Sequence, residues 1–380
     1  MSPTLRPLTA GLLFVLYVTG SACCSTADVR ENLRSAAVDS YVRDEMHKQH
    51  IPGLSIAVIQ NCKLVKAKGY GFANVEHDVL ATPYTIYQSG SVAKQFTAAL
   101  VMLLSEEGKF KLDDPVVKYL PNAPKAWKEI TIRNLLTHTS GIHDCYDKLD
   151  LRKDYTDDEL MKIYGEAPLE FAPGEKWSYS NMGYHVLGFL CTKVGGKFYG
   201  DQLQQRILKP LGMNTARIIS EKALVRHRAA GYEFVKGSWC NQDWVSPSLN
   251  RTADGGLYLS VLDMAMWDLG LCNDKLLKKG VRDQLWTPVT LNSGKTAPYG
   301  FGWVVSSMKG RRLVEHSGAW QGFSTNICRF VDDKITVIVL SNVAGASPDK
   351  IAHEVAAYYV PALEKGHKMF STSKAIAHKL

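Results

Sequence analysis

The sequence lacks the usual marks of a metal or redox protein. Its 11 histidines form no H-E-x-x-H and no other tight ligand cluster, so no metal and no organic cofactor is expected. Its 8 cysteines contain no C-x-x-C. Cys23 and Cys24 lie at the boundary of the N-terminal apolar segment, whereas Cys62, Cys145, Cys191, Cys240, Cys272 and Cys328 are widely spaced. Disulfides after export and buried free thiols both fit, and spacing gives no pairing. Beyond the N-terminus no apolar run is long enough for a membrane span. No basic stripe interleaves with aromatics, which argues against a nucleic-acid partner. The formal charge of +8 is spread out, with small clusters at Lys309-Gly310-Arg311-Arg312 and in the tail. A polyanionic neighbour such as a cell wall or membrane surface fits that charge no worse.

What is present is ordinary globular composition. The chain has 380 residues, 46% of them hydrophobic and 22% charged, ample for a large buried core. The N-terminus reads as an export signal. Arg6 supplies the positive charge, Gly11 to Val18 the short apolar stretch, and Thr19-Gly20-Ser21-Ala22 the small residues. Cleavage is expected after Ala22 or Ala27, giving a secreted or periplasmic protein. Gly20-Ser21-Ala22-Cys23 also loosely resembles a lipoprotein site, without the usual leucine, which leaves a lipid anchor on Cys23 open.

Strand patterns lie at both ends of the chain and helices between. Asp28 to His50 has helical apolar spacing, and Leu54–Ile59 and Leu64–Phe72 read as strands around a turn at Gln60-Asn61-Cys62-Lys63. Val92 to Glu107 is an apolar helix stopped by Gly108. Helical segments follow at Ile132–Leu136, Asp157–Tyr164, Gly183–Val194, Gln202–Leu208, Ala223–Arg228 and within Asp254–Leu271. Gly302–Ser306, Arg311–His316, Phe323–Phe330 and Ile335–Leu340 then alternate as antiparallel strands, and His353–Leu363 closes with a helix. The expected organisation is a signal over residues 1–27, one catalytic domain over 28–365, and a basic tail over 366–380. Within that domain the sheet takes about 28–90 and 297–365, and the helical part about 91–296. A site is expected where the chain passes from sheet to helices.

Ser91-Val92-Ala93-Lys94 stands at that junction. A serine three residues ahead of a lysine at a helix start puts a hydroxyl beside an amine on one face. That is one way to make a nucleophilic serine without a triad. S-x-x-K also occurs at Ser306…Lys309, Ser347…Lys350 and Ser371…Lys374. These read as a strand end with a turn, a helix start with serine as cap and Pro348 in the first turn, and a solvated tail. Lys295-Thr296-Ala297 lacks the glycine of a K-T-G and is discounted. His138, taken alone, reads as a structural residue closing its helix.

Two more patterns follow in order: Tyr179-Ser180-Asn181, and His316-Ser317-Gly318 at the end of the strand Arg311–Glu315. The series S-x-x-K, Y-x-N, basic residue-Ser/Thr-Gly resembles the serine β-lactamase and D,D-peptidase superfamily, most of all its class C β-lactamase-like branch. Similar segments include Leu135-Leu136-Thr137-His138-Thr139-Ser140-Gly141, Pro210-Leu211-Gly212-Met213, Ala253-Asp254-Gly255-Gly256-Leu257 and Tyr299-Gly300-Phe301-Gly302-Trp303. Together they span about residues 35–360.

The resemblance implies an α/β (α+β) β-lactamase/transpeptidase-like fold. An antiparallel sheet from both chain ends would be flanked by helices and carry an inserted helical subdomain. It implies Ser91 as nucleophile of an acyl-enzyme, and Lys94 or Tyr179 as the base. Asn181 would bond Lys94 or the substrate amide. His316, Ser317 and Gly318 would line the substrate site, and the backbone N–H groups of Ser91 and Ala319 would form an oxyanion hole. Class C β-lactamases usually carry lysine where His316 stands. A histidine, with a free pKa of about 6.5, is a poorer fixed anchor for a carboxylate. The expected activity is therefore hydrolysis of D-amino-acid peptides or small esters, with a true β-lactamase as the alternative. A non-catalytic binder of peptidoglycan or peptide and a surface-binding scaffold remain as other classes. Substrate choice would rest on loops such as His143–Arg152 and Trp239–Asn250.

Overall fold

The computed structural model describes residues 26–363. The segment expected to be an export signal, up to Ser25 and with Cys23, and the expected basic tail over 366–380, with Ser371 and Lys374, lie outside the described residues. Seven strands form one antiparallel sheet: β1 (Gly53–Gln60), β2 (Lys63–Asn74), β3 (Val79–Leu80), β4 (Val304–Met308), β5 (Arg311–Trp320), β6 (Phe323–Phe330) and β7 (Ile335–Ser341). Their order is β4-β5-β6-β7-β1-β2-β3, so the N-terminal hairpin pairs with the last strand of the chain. Asn61 and Cys62, both at positive φ (51° and 58°), make the tight turn between β1 and β2.

The central strands are apolar on both faces because both faces are covered. Five longer helices matter here: α1 (Thr26–Lys48), α2 (Lys94–Glu106), α3 (Asn181–Gly195), α4 (Val261–Leu271) and α5 (Pro348–Ala357). Leu54, Ile56 and Val58 of β1 face outward to Val38 and Val42 of α1 and Ile351 and Val355 of α5. Ala57 and Ile59 face inward to the larger core, with Phe96 and Leu100 of α2 and Trp267 of α4. The period of two along a strand makes this division.

Several expectations need correction. Ala223–Arg228 is not a helix: it forms turns and an isolated bridge from Arg228 to Ile86. Its backbone bonds Ile86 instead of itself, through Ile86 N–H to His227 O (2.9 Å) and Ala229 N–H to Ile86 O (2.9 Å). Short strands also interrupt the middle region, including Tyr87–Gln88, Arg217–Ile218 and Leu257–Leu259 in one small sheet. The closing helix begins at Pro348, and Pro361–Leu363 is a separate 3₁₀ turn. Most important, β5 does not end near His316 but runs on to Trp320. Its pairing with β4 stops at Glu315, so residues 316–320 have an edge that β4 does not cover. The chain entering α2 lies against that stretch.

Candidate active site

Ser91 lies in a 3₁₀ turn, Gly90–Ala93, that runs directly into α2 at Lys94. In a 3₁₀ turn the side chains at i and i+3 eclipse one another, which is the Ser91–Lys94 spacing. Lys94 Nζ accordingly donates to Ser91 Oγ at 3.1 Å. The turn is pressed against β5. Gly90 has φ +51°, and a Cβ there would lie 2.6 Å from Ala319 N. A Cβ on Gly318 would lie 2.1 Å from Ser89 O and 3.0 Å from Ser91 N. Both positions demand glycine because two backbones meet. Thr325 Oγ1 on β6 donates to Ser89 O at 2.6 Å and holds the approach from behind. Gly318→Ala should displace the Ser91 turn and lower kcat/KM by about 10²-fold or more, since an ångström of misplacement costs that much. Steady-state kinetics on a variant with unaltered Tm checks this.

Lys94 is fully buried and spends all three protons: on Ser91 Oγ, on Asn181 Oδ1 (2.7 Å) and on the Asp254 carbonyl (3.1 Å). Asn181 is the first residue of α3. Asp144 fixes its orientation, accepting from Asn181 N–H at 3.2 Å and from Asn181 Nδ2 at 3.1 Å. With the backbone N–H and an Nδ2–H both directed to that carboxylate, Oδ1 is left to face the ammonium. Burial lowers the Lys94 pKa from 10.5 to about 8, against the pull of Asp254 and Asp144. The ammonium also lies 4.9 Å from the Tyr179 ring centroid and 5.4 Å from that of Tyr184.

Tyr179 is buried, and its hydroxyl has no formed hydrogen bond among the described residues. Burial carries its pKa well above 10.0, although proximity to Ser91 works in the opposite direction. His138, at φ +58° just past the helix Ile132–Leu136, packs on Tyr179 with ring centroids 4.2 Å apart. Its Nδ1 accepts from Ser180 N–H at 3.2 Å and thereby fixes the loop that presents Tyr179.

His316 sits beside this group but is closed off. Its side chain is fully buried, with Tyr299 O–H donating to Nε2 (2.8 Å) and Nδ1–H donating to Ser317 O (2.6 Å). Burial, with the Lys94 charge adding, lowers its pKa from 6.5 to about 3, so the ring is neutral at pH 7. To meet a substrate it would have to give up one of its two bonds. The strand period separates His316 and Gly318 from Ser317 and Ala319. Ser317 shares a face with Glu315, which pairs with His353 of α5 on the outer side. Ser317 Oγ accepts from Asn326 Nδ2 on β6 at 3.1 Å. The structure thus brings together Ser91, Lys94, Tyr179, Asn181 and the backbone of Gly318 and Ala319. It leaves the Ser317 side chain pointing away and the His316 side chain sealed.

Three groups escaped the sequence reading. Asp144 lay inside a loop read only for specificity. Asp254 appeared within a similar segment but without a role. Burial alone would raise its pKa, but His185, Lys94 and Thr252 outweigh that and hold the carboxylate well below its ordinary range. His185 Nε2–H donates to Asp254 Oδ1 (2.8 Å), while Tyr164 O–H meets its Nδ1 (2.5 Å). Tyr146 O–H donates to Asp254 Oδ2 at 3.0 Å. Tyr299, the partner of His316, is the third.

The competing S-x-x-K copies lie elsewhere. Ser306 is in β4, and Lys350 pairs with Glu45 at 2.8 Å. Thr296–Ala297 forms a separate two-stranded ribbon with Val289–Thr290.

Comparison with known proteins agrees with this geometry. The family model described as Beta-lactamase matches residues 38–360. Penicillin-binding protein 4* of Bacillus subtilis (strain 168) is 32% identical over 294 residues, which is 72% of this chain and 64% of that protein. Protein flp of Staphylococcus aureus (strain MW2) is 29% identical over 351 residues, 90% of this chain and 69% of that one. The chain thus matches about two thirds of the length of these curated relatives. Among solved structures, the octameric penicillin-binding protein homologue from Pyrococcus abyssi superposes with a TM-score of 0.76 at 32% identity, covering 86% of this chain and 77% of that chain. The penicillin-binding protein from Bacillus halodurans shares the fold, with a TM-score of 0.71 at 22% identity over 83% of this chain and 98% of that one. The chain therefore belongs to the β-lactamase family, the serine hydrolases whose fold is shared with the penicillin-binding proteins.

Proposed function

We propose that the protein hydrolyses amide or ester bonds through an acyl-enzyme on Ser91, with D-amino-acid peptides or small esters as substrates. The observation that carries this reading is the buried Lys94 amine, hydrogen-bonded to Ser91 Oγ and lowered to about 8. Neutral Lys94 takes the Ser91 proton as Oγ attacks the carbonyl carbon. The oxyanion forms against the N–H groups of Ser91 and Ala319, worth roughly 3–4 kcal/mol each in comparable sites. Lys94 then returns the proton to the leaving group, and water repeats the sequence on the ester. Tyr179 stays protonated in this scheme and steadies the proton on its way, because burial opposes its phenolate.

His316 supports the ranking of substrates. Buried, neutral and doubly bonded, it offers no fixed cation to a carboxylate. Efficient β-lactam turnover is the second reading, favoured by the family match. Two loops meet beside the site: Tyr146 lies against Trp320 with tilted rings (centroids 6.0 Å apart), and Trp320 Nε1–H donates to Asn250 Oδ1 at 2.6 Å. We assign acyl-group selection to this aromatic wall. Export is consistent with the disulfide Cys62–Cys272, since such bonds persist in oxidising compartments. Among the described residues no helix is long and apolar enough to cross a membrane.

The test is a substrate panel of p-nitrophenyl esters, D-Ala-D-Ala peptides, D-amino-acid amides and nitrocefin, with wild type and Ser91→Ala. Turnover of peptides or esters that Ser91→Ala abolishes is the expected result. Nitrocefin hydrolysis at the rate of dedicated β-lactamases would reverse the ranking. The same assay identifies the base. With Lys94 lowered to about 8, kcat/KM should fall about tenfold per pH unit below pH 8 and level off above it. A rate still climbing beyond pH 10 would point to Tyr179 instead.

A further inference from the structure

A second site lies at the opposite end of the sheet. Thr325 of β6 pairs with Gly318 beside Ser91, whereas Arg329, four residues further along β6, pairs with Val314. At about 3.3 Å per residue that is some 13 Å away. There a cavity of about 450 Å³ is lined by Lys279, Arg282, Arg312, Arg329, Lys334 and Trp286, with the Cys62–Cys272 disulfide in its wall. Three of the five cations are balanced: Lys279 by Asp283, Arg282 by Asp274 and Arg329 by Asp268. Arg312 gives one nitrogen to the Trp286 carbonyl (3.0 Å) and has no ion pair among the described residues; nor has Lys334. Five cations against three carboxylates leave an excess of two.

The wall also holds donors with nothing to donate to. Arg329 Nε and Trp286 Nε1 are buried without a partner among the described residues, on side chains of residues only 8% and 4% exposed. Buried unpaired donors are costly and uncommon. The Arg329 guanidinium is held in place by Asp268, by Thr336 Oγ1 (3.2 Å) and by Cys272 Sγ (3.5 Å), and lies 5.5 Å from the Trp286 ring centroid. The rigid group, the two uncompensated cations and the two orphan donors converge on one lining, which suits an oxyanion.

We propose that this cavity binds a compact anion carrying at least two negative charges, of the phosphate class. The site is independent of the chemistry at Ser91. Calorimetric titration with inorganic pyrophosphate, at constant ionic strength, tests it. Wild type should bind one equivalent saturably, and Ser91→Ala should bind equally well. Arg312→Gln and Lys334→Gln should each weaken binding at least tenfold. Both residues are exposed, so their replacement should leave the unliganded Tm unchanged. Trp286→Phe, which removes the orphan N–H together with part of the buried ring, should also weaken binding. Three results would overturn the proposal: no saturable binding to wild type, an unchanged Kd in Arg312→Gln and Lys334→Gln, or loss of binding in Ser91→Ala.

Discussion

Ser91→Ala should lower kcat/KM by about 10⁶-fold, and Lys94→Met by about 10⁴-fold or more, with the double variant no worse than Ser91→Ala alone. The pattern matters more than either number. Ser91 Oγ is a nucleophile only when a base takes its proton, and among the described residues the amine hydrogen-bonded to it is Lys94, 3.1 Å away. Removing the serine leaves the base with nothing to activate, and removing the base leaves an ordinary alcohol. Two residues acting as one unit give non-additive losses. Lys94→Met also strips the donor from Asn181 Oδ1 and the Asp254 carbonyl, so a parallel Tm measurement must accompany the kinetics. Losses that simply multiply in the double variant would mean that Lys94 does not act through Ser91.

The second large effect concerns stability. Cys62, in the β1–β2 turn, is bonded to Cys272 at the end of α4, across a sequence separation of 210. Closing a loop of that length restricts the unfolded chain by about 5 kcal/mol on the chain-entropy model. Cys62→Ser with Cys272→Ser should therefore lower Tm by about 7 °C, since a domain of this size unfolds with an entropy of roughly 2.1 cal/mol/K per residue. Denaturant melts of wild type and the double variant check the size. Kinetics at 25 °C should be nearly unchanged, because the bond lies at the end of the sheet away from Ser91. An equal Tm in the two proteins would remove the disulfide from the account of stability.

How much of this was visible in the sequence depends on the range over which each signal acts. Ser91 and Lys94 are one turn apart, so spacing alone places hydroxyl beside amine. Tyr179 and Asn181 flank the start of α3 and were legible as Y-S-N. The sheet built from both chain ends followed from the short apolar runs bounded by turn residues at β1 and β4 to β7, and from the resemblance. Asp144 was not legible: it reaches Asn181 across 37 residues of chain, and no periodicity marks a loop carboxylate. Cys62 and Cys272 had no distinguishing spacing among 8 cysteines. Ser317 was misplaced for a simpler reason. With β5 ended near His316, the alternation that turns Ser317 away from Gly318 was cut short by four residues. The neutral state of His316 was anticipated from its ordinary pKa, but its sealing by Tyr299 depends on a contact 17 residues away.

The central claim is that Ser91 is acylated with Lys94 as its base. Intact-mass measurement of the protein during reaction with a slow-leaving ester or penicillin, at pH 6, 7, 8 and 9, tests it most directly. One acyl group should appear on wild type, map to the peptide bearing Ser91, and form fastest at and above pH 8. None should appear on Ser91→Ala. An adduct on Ser91→Ala, or a rate of acylation indifferent to pH between 6 and 8, would contradict the account.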